Sequence, residues 1–186
     1  MKNKPKKPFL ISNFIKDKNV ASIIPTSKRC VKDICSRMNF SRDLCIVEYG
    51  PGNGAFTDHI LKNLSSESRL VAIEKNKELS GYLKEKTNDK RLEVFNDDAI
   101  NVKNILNFLS IKNVDYVISG IPFSFLEPND IHKILENTRE ILNPNGRFLV
   151  YQATRKVEDY LGRYFTDIKT KHYKLNIPPL FLFDSG

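Results

Sequence analysis

Three glycines spaced two residues apart form the sharpest chemical motif in the sequence. Gly50, Gly52 and Gly54 follow a short apolar stretch and precede a segment with helical spacing. Glycine lets the main chain turn tightly and lets a ligand lie directly against it. The free N–H groups at the start of the next helix suit a polar or charged ligand. The motif therefore predicts a ligand site where a strand gives way to a helix.

Acidic side chains end or follow each of the first three predicted strands. Glu48 ends the first strand, Glu74 closes the second, and Asp97 and Asp98 follow the third. A carboxylate placed about 20 residues after the glycine loop suits the two hydroxyls of a ribose. An acidic side chain after the third strand suits the amino group of an adenine. The combination predicts a ligand that contains adenosine.

Two cofactors share this general pattern. Gly50, Gly52 and Ala55 also satisfy the G-x-G-x-x-A fingerprint of dinucleotide sites. The negative charge of Glu48 beside the loop suits a cationic ligand better than a pyrophosphate. The residues therefore favour S-adenosylmethionine, a sulfonium cation, over NAD. In a third interpretation the glycines only make a tight turn.

The segments that must position these residues alternate between strand-like and helix-like patterns from about residue 43 onward. This order predicts an α/β fold with a doubly wound, mostly parallel sheet of seven strands, a Rossmann-like arrangement that ends in a closing antiparallel strand. The predicted strands are Leu44–Glu48, Arg69–Glu74, Leu92–Phe95, Val114–Ser119, Phe148–Tyr151, Asp167–Leu175 and Leu180–Phe183. The predicted helices are Ala55–Leu64, Lys77–Lys86, Val102–Leu109, Asp130–Leu142 and Val157–Phe165, with Asn143–Gly146 as a breaker.

The first 42 residues differ from the rest in charge. The chain has 186 residues and a net charge of +8, and residues 1–42 hold 11 Lys/Arg and 2 Asp/Glu. We therefore expect a basic, partly helical N-terminal arm over residues 1–42 and a ligand-binding domain over residues 43–186. Thr26 or Ser27 is placed to cap a helix that runs through Met38. Further apolar residues of the arm lie among lysines: Phe9, Leu10, Ile11, Phe14 and Ile15.

This arm has the pattern of a helix that lies in a membrane interface. Its charge predicts attraction to a polyanion, either an anionic lipid surface or nucleic acid. A solvated tail, or an arm that packs over the mouth of the sheet, remains an alternative. No apolar run approaches the length of about 20 residues that spans a bilayer.

The remaining composition predicts a cytoplasmic protein without a metal site. The N-terminus lacks the apolar core and cleavage site of a secretory signal, and the three cysteines favour reduced thiols. The three histidines have no metal-like spacing and are expected at the surface or in packing; they are His59, His132 and His172. Together with the arm, this predicts peripheral association with a membrane.

The motif E-x-G-x-G-x-G, with an acid after the second strand and D-A after the third, resembles the class I S-adenosylmethionine-dependent methyltransferases. The resemblance covers residues 44–183. It implies that the cofactor binds along the glycine loop, with the ribose at Glu74 and the adenine near Asp98. The full set of candidate cofactor residues is Glu48, Tyr49, Gly50, Pro51, Gly52, Asn53, Gly54, Glu74, Lys75, Asp97, Asp98, Ala99 and Ser119.

A narrower resemblance comes from the run Ser119-Gly120-Ile121-Pro122-Phe123. It looks like the N-[LI]-P-[YF] motif of ribosomal RNA adenine dimethylases, with Gly120 in place of the Asn. It is more similar to the S-G-[LI]-P of bacterial phospholipid N-methyltransferases, which the chain also resembles at Ser22–Ser27 and Asn176–Pro179. This resemblance implies methylation of a lipid amine such as phosphatidylethanolamine. The alternatives are adenine N6-methylation of RNA and a non-catalytic adenosyl-binding adaptor.

The candidate catalytic residues are Gly120, Ile121, Pro122 and Phe123. The chemistry is an in-line displacement at the sulfonium methyl group by a neutral amine, so positioning and desolvation are the main requirements. Main-chain carbonyl groups near Gly120 suit the amine hydrogens. The ring of Phe123 or Phe125 is placed to contact the developing ammonium, with core packing as the alternative.

Overall fold

A computed structural model of the protein describes residues 26–186, in which one seven-stranded sheet is flanked by helices on both faces. The apolar cluster predicted in the arm lies outside the described residues. The strands are β1 (Cys45–Tyr49), β2 (Arg69–Ile73), β3 (Leu92–Phe95), β4 (Val114–Ser119), β5 (Leu142–Gln152), β6 (Ile168–Tyr173) and β7 (Leu180–Ser185). The helices are α1 (Lys28–Cys35), α2 (Ala55–Asn63), α3 (Lys77–Lys86), α4 (Val102–Phe108), α5 (Pro128–Ile141) and α6 (Glu158–Leu161).

The sheet confirms the predicted fold class. Its strand order is β3-β2-β1-β4-β5-β7-β6, in which β1 to β5 are parallel and β7 is antiparallel to both of its neighbours. The order reverses between β1 and β4, which pair directly through Tyr49 and Ser119. In such sheets ligands bind beyond the carboxyl ends of the strands at this reversal point. The glycine loop leaves β1 at that point.

Apolar side chains cover both faces of the sheet and hold the central strands rigidly. On one face α4, α5 and α6 pack around fully buried residues that include Val117 and Phe148. On the other face α1 and α2 pack around Ile46 and Ile118. Because β1 and β4 are buried on both faces, apolar residues dominate their sequences. The loops at their carboxyl ends are therefore held by a fixed scaffold.

Ser27, which precedes α1, contacts the second of the two short segments that the sequence resemblance singled out. The Ser27 hydroxyl caps the helix by accepting a hydrogen bond from the Cys30 main-chain N–H at 3.3 Å. The Ser27 main-chain N–H donates to Oδ1 of Asn176 at 3.0 Å, and the amide of Asn176 donates to the Pro178 carbonyl oxygen at 2.7 Å. The helix ends at Cys35 rather than at Met38. Ser27 is thus confirmed as the cap, and the predicted helix is too long.

The segment Asn143–Gly146 was predicted to separate a helix from a strand, and the prediction is half right. Helix α5 ends at Ile141, but β5 begins at once with Leu142. The pairing of β5 with β4 shifts register between Val114 and Tyr116, so the extra residues form a bulge.

The predicted helix Val157–Phe165 is also shorter than expected, because regular helix covers only Glu158–Leu161. Gly162, a poor helix former, follows it as the C-cap.

Candidate active site

A cavity of about 850 Å³ opens at the carboxyl edge of the sheet, over the ends of β1, β2, β3 and β4. Most of the residues that the sequence pointed to line it. Its walls are formed by the glycine loop, the ends of β2 and β3, the loop after β4, and one residue that precedes α1. From the predicted set the lining includes Gly50, Pro51, Gly52, Asn53, Glu74, Lys75, Asp97, Asp98, Ala99, Gly120, Ile121 and Pro122.

The glycine loop has the left-handed main chain that only glycine adopts without strain. Gly50, Gly52 and Gly54 have φ angles of 66°, 55° and 80°. A Cβ atom on Gly50 would lie 3.2 Å from Cγ1 of Ile121, and one on Gly54 would lie 2.7 Å from Cδ1 of Leu83. All three glycines are therefore required for the turn, Gly50 also for close packing against the loop after β4, and Gly54 for close packing against α3. The tight turn predicted from sequence is confirmed, and contact of its main chain with a ligand stays a prediction.

Glu74 fixes the far side of the glycine loop. Its carboxylate accepts hydrogen bonds from the main-chain N–H of Gly52 at 3.1 Å and of Asn76 at 2.9 Å. Burial raises the pKa of Glu74, while the two amides act in the opposite direction. Since each carboxylate oxygen has more than one acceptor position, Glu74 can hold the loop and still accept hydroxyl donors from a ligand.

Asp97 and Asp98 lie at the end of β3 and shape the side of the cavity beyond Glu74. Oδ1 of Asp98 caps a short 3₁₀ turn at the Ile100 N–H, and its other oxygen pairs with Nζ of Lys75 at 2.8 Å. Oδ1 of Asp97 accepts from the amide of Asn101 at 2.8 Å. These bonds fix both carboxylates at the cavity wall, where each retains acceptor capacity for a ligand amino group.

Glu48 is the least satisfied charged group of the site. It is only 1% exposed, and Oε2 accepts a hydrogen bond from the Thr57 hydroxyl at 2.7 Å. Oε1 is buried and has no hydrogen-bond partner among residues 26–186. Burial raises the pKa of Glu48 to about 7. An unpaired buried carboxylate is costly, so this position favours a cationic group nearby.

The loop after β4 is held by contacts from two neighbouring strands. The Gly120 N–H donates to the Tyr49 carbonyl oxygen at 3.0 Å, and the Ile121 N–H donates to the Ser119 hydroxyl at 3.3 Å. From β5, the amide of Gln152, 2% exposed, donates to the Ile121 carbonyl oxygen at 2.9 Å. The main chain that was predicted to orient the acceptor is therefore rigid. The Ile121 carbonyl oxygen already accepts a hydrogen bond, which the sequence did not reveal.

Several predicted site residues support the cavity from beneath rather than lining it. The Tyr49 hydroxyl bonds to the Thr138 hydroxyl at 3.1 Å inside the core. The ring of Phe123 is 1% exposed and belongs to the core, so of the two candidate aromatic rings only Phe125, 72% exposed, lies in the cavity wall. The members of the predicted set outside the lining are Glu48, Tyr49, Gly54, Ser119 and Phe123.

Tyr151 and Phe56 are among the lining residues that the sequence did not point to, because they sit in elements that look purely structural. Tyr151 is next to the last residue of β5, and its ring stacks on that of Phe56 in α2 with centroids 4.3 Å apart. Both line the cavity. The position of β5 beside β4 was the available signal, because the carboxyl ends of adjacent parallel strands meet at one edge.

Other expectations are tested only in the described part of the chain. Within residues 26–186 no group of three or more His, Cys, Asp or Glu side chains is placed to hold a metal ion. His132 instead contacts the hydroxyl of Tyr164 at 2.8 Å. In the same range no helix has the length and apolar character that crossing a membrane requires.

Comparison with known proteins places this site in a family. The family model described as "Ribosomal RNA adenine dimethylase" matches residues 3–133, which include the glycine loop, Glu74, the end of β3 and the loop after β4. The chain belongs to the ribosomal RNA adenine dimethylase family. It is accordingly an S-adenosylmethionine-dependent methyltransferase, which confirms the enzyme class and the cofactor predicted from its sequence.

Individual relatives of this methyltransferase differ in what their names describe. The "Ornithine lipid N-methyltransferase" of Singulisphaera acidiphila is 22% identical over 86% of this chain and 84% of that protein. The "Ribosomal RNA small subunit methyltransferase A" of a Hydrogenobaculum species is 30% identical over 96% of this chain but 64% of that protein. Among solved structures, a precorrin-6y C5,15-methyltransferase from Geobacter metallireducens has a TM-score of 0.67 at 14% identity, covering 94% of this chain and 93% of that one. The last similarity shows the shared fold.

The residues present fit S-adenosylmethionine. The cavity combines a glycine loop whose main chain is open to a ligand, a buried carboxylate at the end of β2 and two fixed carboxylates after β3. Oε1 of Glu48 lies buried behind the loop without a hydrogen-bond partner among residues 26–186, and the negative charge of the ionised side chain would suit a cationic ligand. When bound, the cofactor supplies a methyl group activated on a sulfonium.

Proposed function

We propose that this methyltransferase transfers methyl groups to the amine of a lipid head group, such as phosphatidylethanolamine, at an anionic membrane surface. The observation that carries the proposal is an exposed apolar and basic patch at the edge of the sheet onto which the cavity opens. An enzyme that acts on a lipid must bring its cavity to the membrane plane. The patch has the two properties that such docking needs.

The patch consists of Leu175 and Ile177 in the β6–β7 loop with Lys28, Arg29 and Lys174 beside them. Leu175 is 90% exposed and Ile177 is 86% exposed. They flank the buried Asn176, whose hydrogen bond to Ser27 places this loop at the start of α1. All three basic side chains are exposed. We call these five residues the loop patch.

The loop patch lies on the same side of the sheet as the cavity. In the β5–β7 pairing Gln152, at the carboxyl end of β5, lies opposite Phe181, so the preceding β6–β7 loop extends past that end. The residue before Ser27, Thr26, lines the cavity itself. Exposed aliphatic side chains suit the boundary of a bilayer, whereas single-stranded RNA is held mainly by stacking on aromatic rings.

The residue at the start of the loop after β4 supports the same proposal. Gly120 stands where the RNA dimethylase motif has Asn, as in the phospholipid enzymes that the sequence resembles. The similarity to a protein named as an ornithine lipid N-methyltransferase, 22% identical over 86% of this chain, supports it as well. Lipid methylation accounts for both features.

The protein promotes the reaction mainly by positioning the acceptor amine. The lone pair of a neutral amine forms the new N–C bond as the methyl–sulfur bond breaks, and the electron pair of that bond stays on sulfur. The extra proton remains on the product nitrogen and is lost to water. Gly120 to Pro122 hold the main chain beside the reacting nitrogen, and Phe125 offers a ring face to the ammonium that forms. No covalent intermediate with the protein is required.

Adenine N6-methylation of RNA is the second candidate. The family match and the 30% identity to the Hydrogenobaculum enzyme favour it. The exocyclic amine of adenine would meet the same main chain after β4. The two candidates differ in the surface they need: RNA binding depends on charge alone at the loop patch, whereas membrane docking also depends on its aliphatic side chains.

Changing both Leu175 and Ile177 to asparagine is expected to weaken binding to vesicles of phosphatidylglycerol and phosphatidylethanolamine at least tenfold. Insertion of two large aliphatic side chains contributes on the order of 1–2 kcal/mol each. Co-sedimentation at low and high salt measures the effect. Binding should also fall as salt rises, because Lys28 and Arg29 each add about 1 kcal/mol near an anionic surface.

The matched control is Phe108→Asn. Phe108 is 80% exposed but lies against Phe95 of β3, at the opposite end of the strand order from β6 and β7. This change should leave vesicle binding unaltered. Unchanged binding of the Leu175/Ile177 variant, or equal binding to purely zwitterionic vesicles, would count against docking through the loop patch. Methyl incorporation into phosphatidylethanolamine is measured in the same samples.

A further inference from the structure

The cavity wall includes a tyrosine whose hydroxyl has no assigned task, Tyr151. Tyr151 is 7% exposed and lines the cavity. Its ring is fixed by stacking on Phe56, with centroids 4.3 Å apart and planes 26° apart. Its hydroxyl makes no hydrogen bond within residues 26–186. Oη is not among the fully buried unpaired atoms of these residues, so it is open to the cavity and available to a ligand.

The hydroxyl lies directly over Gly120. A Cβ atom built on Gly120 would meet Oη of Tyr151 at 2.3 Å and Cζ at 2.7 Å. Such contacts are impossible, so even alanine at position 120 would displace the ring. The glycine is therefore explained by its neighbour on β5: the tyrosine occupies the space that a side chain at position 120 would need. Oη of Tyr151 therefore occupies the place that a polar side chain at position 120 would otherwise take.

We propose that the Tyr151 hydroxyl binds an N–H of the methyl-accepting amine and aims the nitrogen lone pair at the methyl group. The hydroxyl is beside the main chain that the reacting nitrogen must meet, and it has a free acceptor position. Burial, with the nearby Glu48 charge, raises the pKa of Tyr151 well above its usual value. The hydroxyl is therefore neutral at physiological pH. It acts by holding the amine and takes no proton from it.

The number of hydrogens on the amine then matters. A primary amine has two N–H groups and a monomethyl amine has one, so either can donate to Tyr151 while its lone pair faces the methyl group. A dimethyl amine has no N–H left. Tyr151 therefore assists the first two transfers and contributes nothing through this bond to a third. The inference rests on the proposed N-methylation, but it applies to any acceptor whose nitrogen carries hydrogen.

Tyr151→Phe tests the inference, because it removes the hydroxyl and keeps the stacked ring. We expect kcat/KM for phosphatidylethanolamine and its monomethyl form to fall about tenfold or more. The rate with the dimethyl lipid, the affinity for S-adenosylhomocysteine and the Tm should stay near those of the parent. Tyr116→Phe is the control, since the Tyr116 hydroxyl accepts a hydrogen bond from the Asn39 N–H far from the cavity.

Three results would overturn the inference: full activity of Tyr151→Phe, an equal loss with the dimethyl lipid, or a matching loss of cofactor affinity. The outcome is separable from that of the proposed function. If the parent enzyme methylates RNA and no lipid, the proposed function fails, and the same variant is then tested on the RNA acceptor.

A double variant tests the geometry independently of activity. Gly120→Ala should lower the Tm in the parent, because the new methyl group meets the Tyr151 ring. In a Tyr151→Leu background, where the end of the ring is gone, Gly120→Ala should cost much less. Additive effects of the two changes on Tm would contradict the contact on which the inference stands.

Discussion

At pH 8, Glu48→Gln is expected to raise the free energy of unfolding by about 3 kcal/mol. Burial raises the pKa of Glu48 from 4.5 to about 7. Between these two pH values the folded protein keeps a proton that the unfolded chain has lost, and at pH 8 the folded protein must hold the buried carboxylate in its ionised form. For an acid with a raised pKa, the stability contribution is complete below pH 4.5 and is lost as the pH rises to 7. Glutamine stays neutral and avoids this loss. Chemical denaturation at pH 5 and pH 8 measures the difference.

The same change is expected to weaken binding of S-adenosylmethionine. A cationic ligand in the cavity favours the ionised form of Glu48, which is buried behind the glycine loop, so binding at pH 7 should release a fraction of a proton. Calorimetry in two buffers with different ionisation enthalpies detects that release, which should vanish in Glu48→Gln. Glu85→Gln, on the exposed face of α3, is the control and should change neither quantity. A glutamine variant that binds as well as the parent, with the same proton release, would remove Glu48 from the cofactor site.

Glu74→Ala is expected to weaken binding of S-adenosylhomocysteine by about tenfold to a hundredfold. Hydrogen bonds to a carboxylate are worth about 1.5–3 kcal/mol each, and the predicted ribose contacts are lost. The change also frees the N–H groups of Gly52 and Asn76 that Glu74 now holds. Isothermal titration calorimetry gives the affinity directly.

A second substitution separates the ribose contact from the loop contact. Glu74→Gln keeps one acceptor oxygen for the loop but exchanges the other for a donor. It should preserve the Tm better than alanine does while still losing affinity. Glu85→Ala serves as the surface control. Affinity within twofold of the parent in both Glu74 variants would show that the ribose lies elsewhere.

Much of the fold could be predicted because the central strands are buried on both faces. The bounds of the central strand β4 agree with the prediction to the residue, and so do those of α3 and of the edge strand β3. Their patterns are short, and clear turn or capping residues such as Asn76 bound them. The glycine loop was equally readable, since positive φ angles and close packing leave glycine as the only choice.

The remainder depended on contacts between distant segments. Nothing local in the sequence shows that Tyr151 lies over Gly120, because the two meet only through the pairing of β4 with β5. The burial of Phe123 and the exposure of Phe125 likewise follow from how the loop after β4 packs against α5 and α6. The length of β5 was underestimated because Asn143–Gly146 carries strong turn residues, which the bulge accommodates without ending the strand.

A competition assay distinguishes methylation of a lipid amine from methylation of RNA. The full chain is incubated with methyl-labelled S-adenosylmethionine, anionic vesicles that contain phosphatidylethanolamine, and ribosomal RNA in the same tube. The lipid and RNA pools are then separated and their products identified by mass spectrometry. We expect N-methylated phosphatidylethanolamine and unlabelled RNA. Methylated adenosine in the RNA, with no label in the lipid, would contradict it.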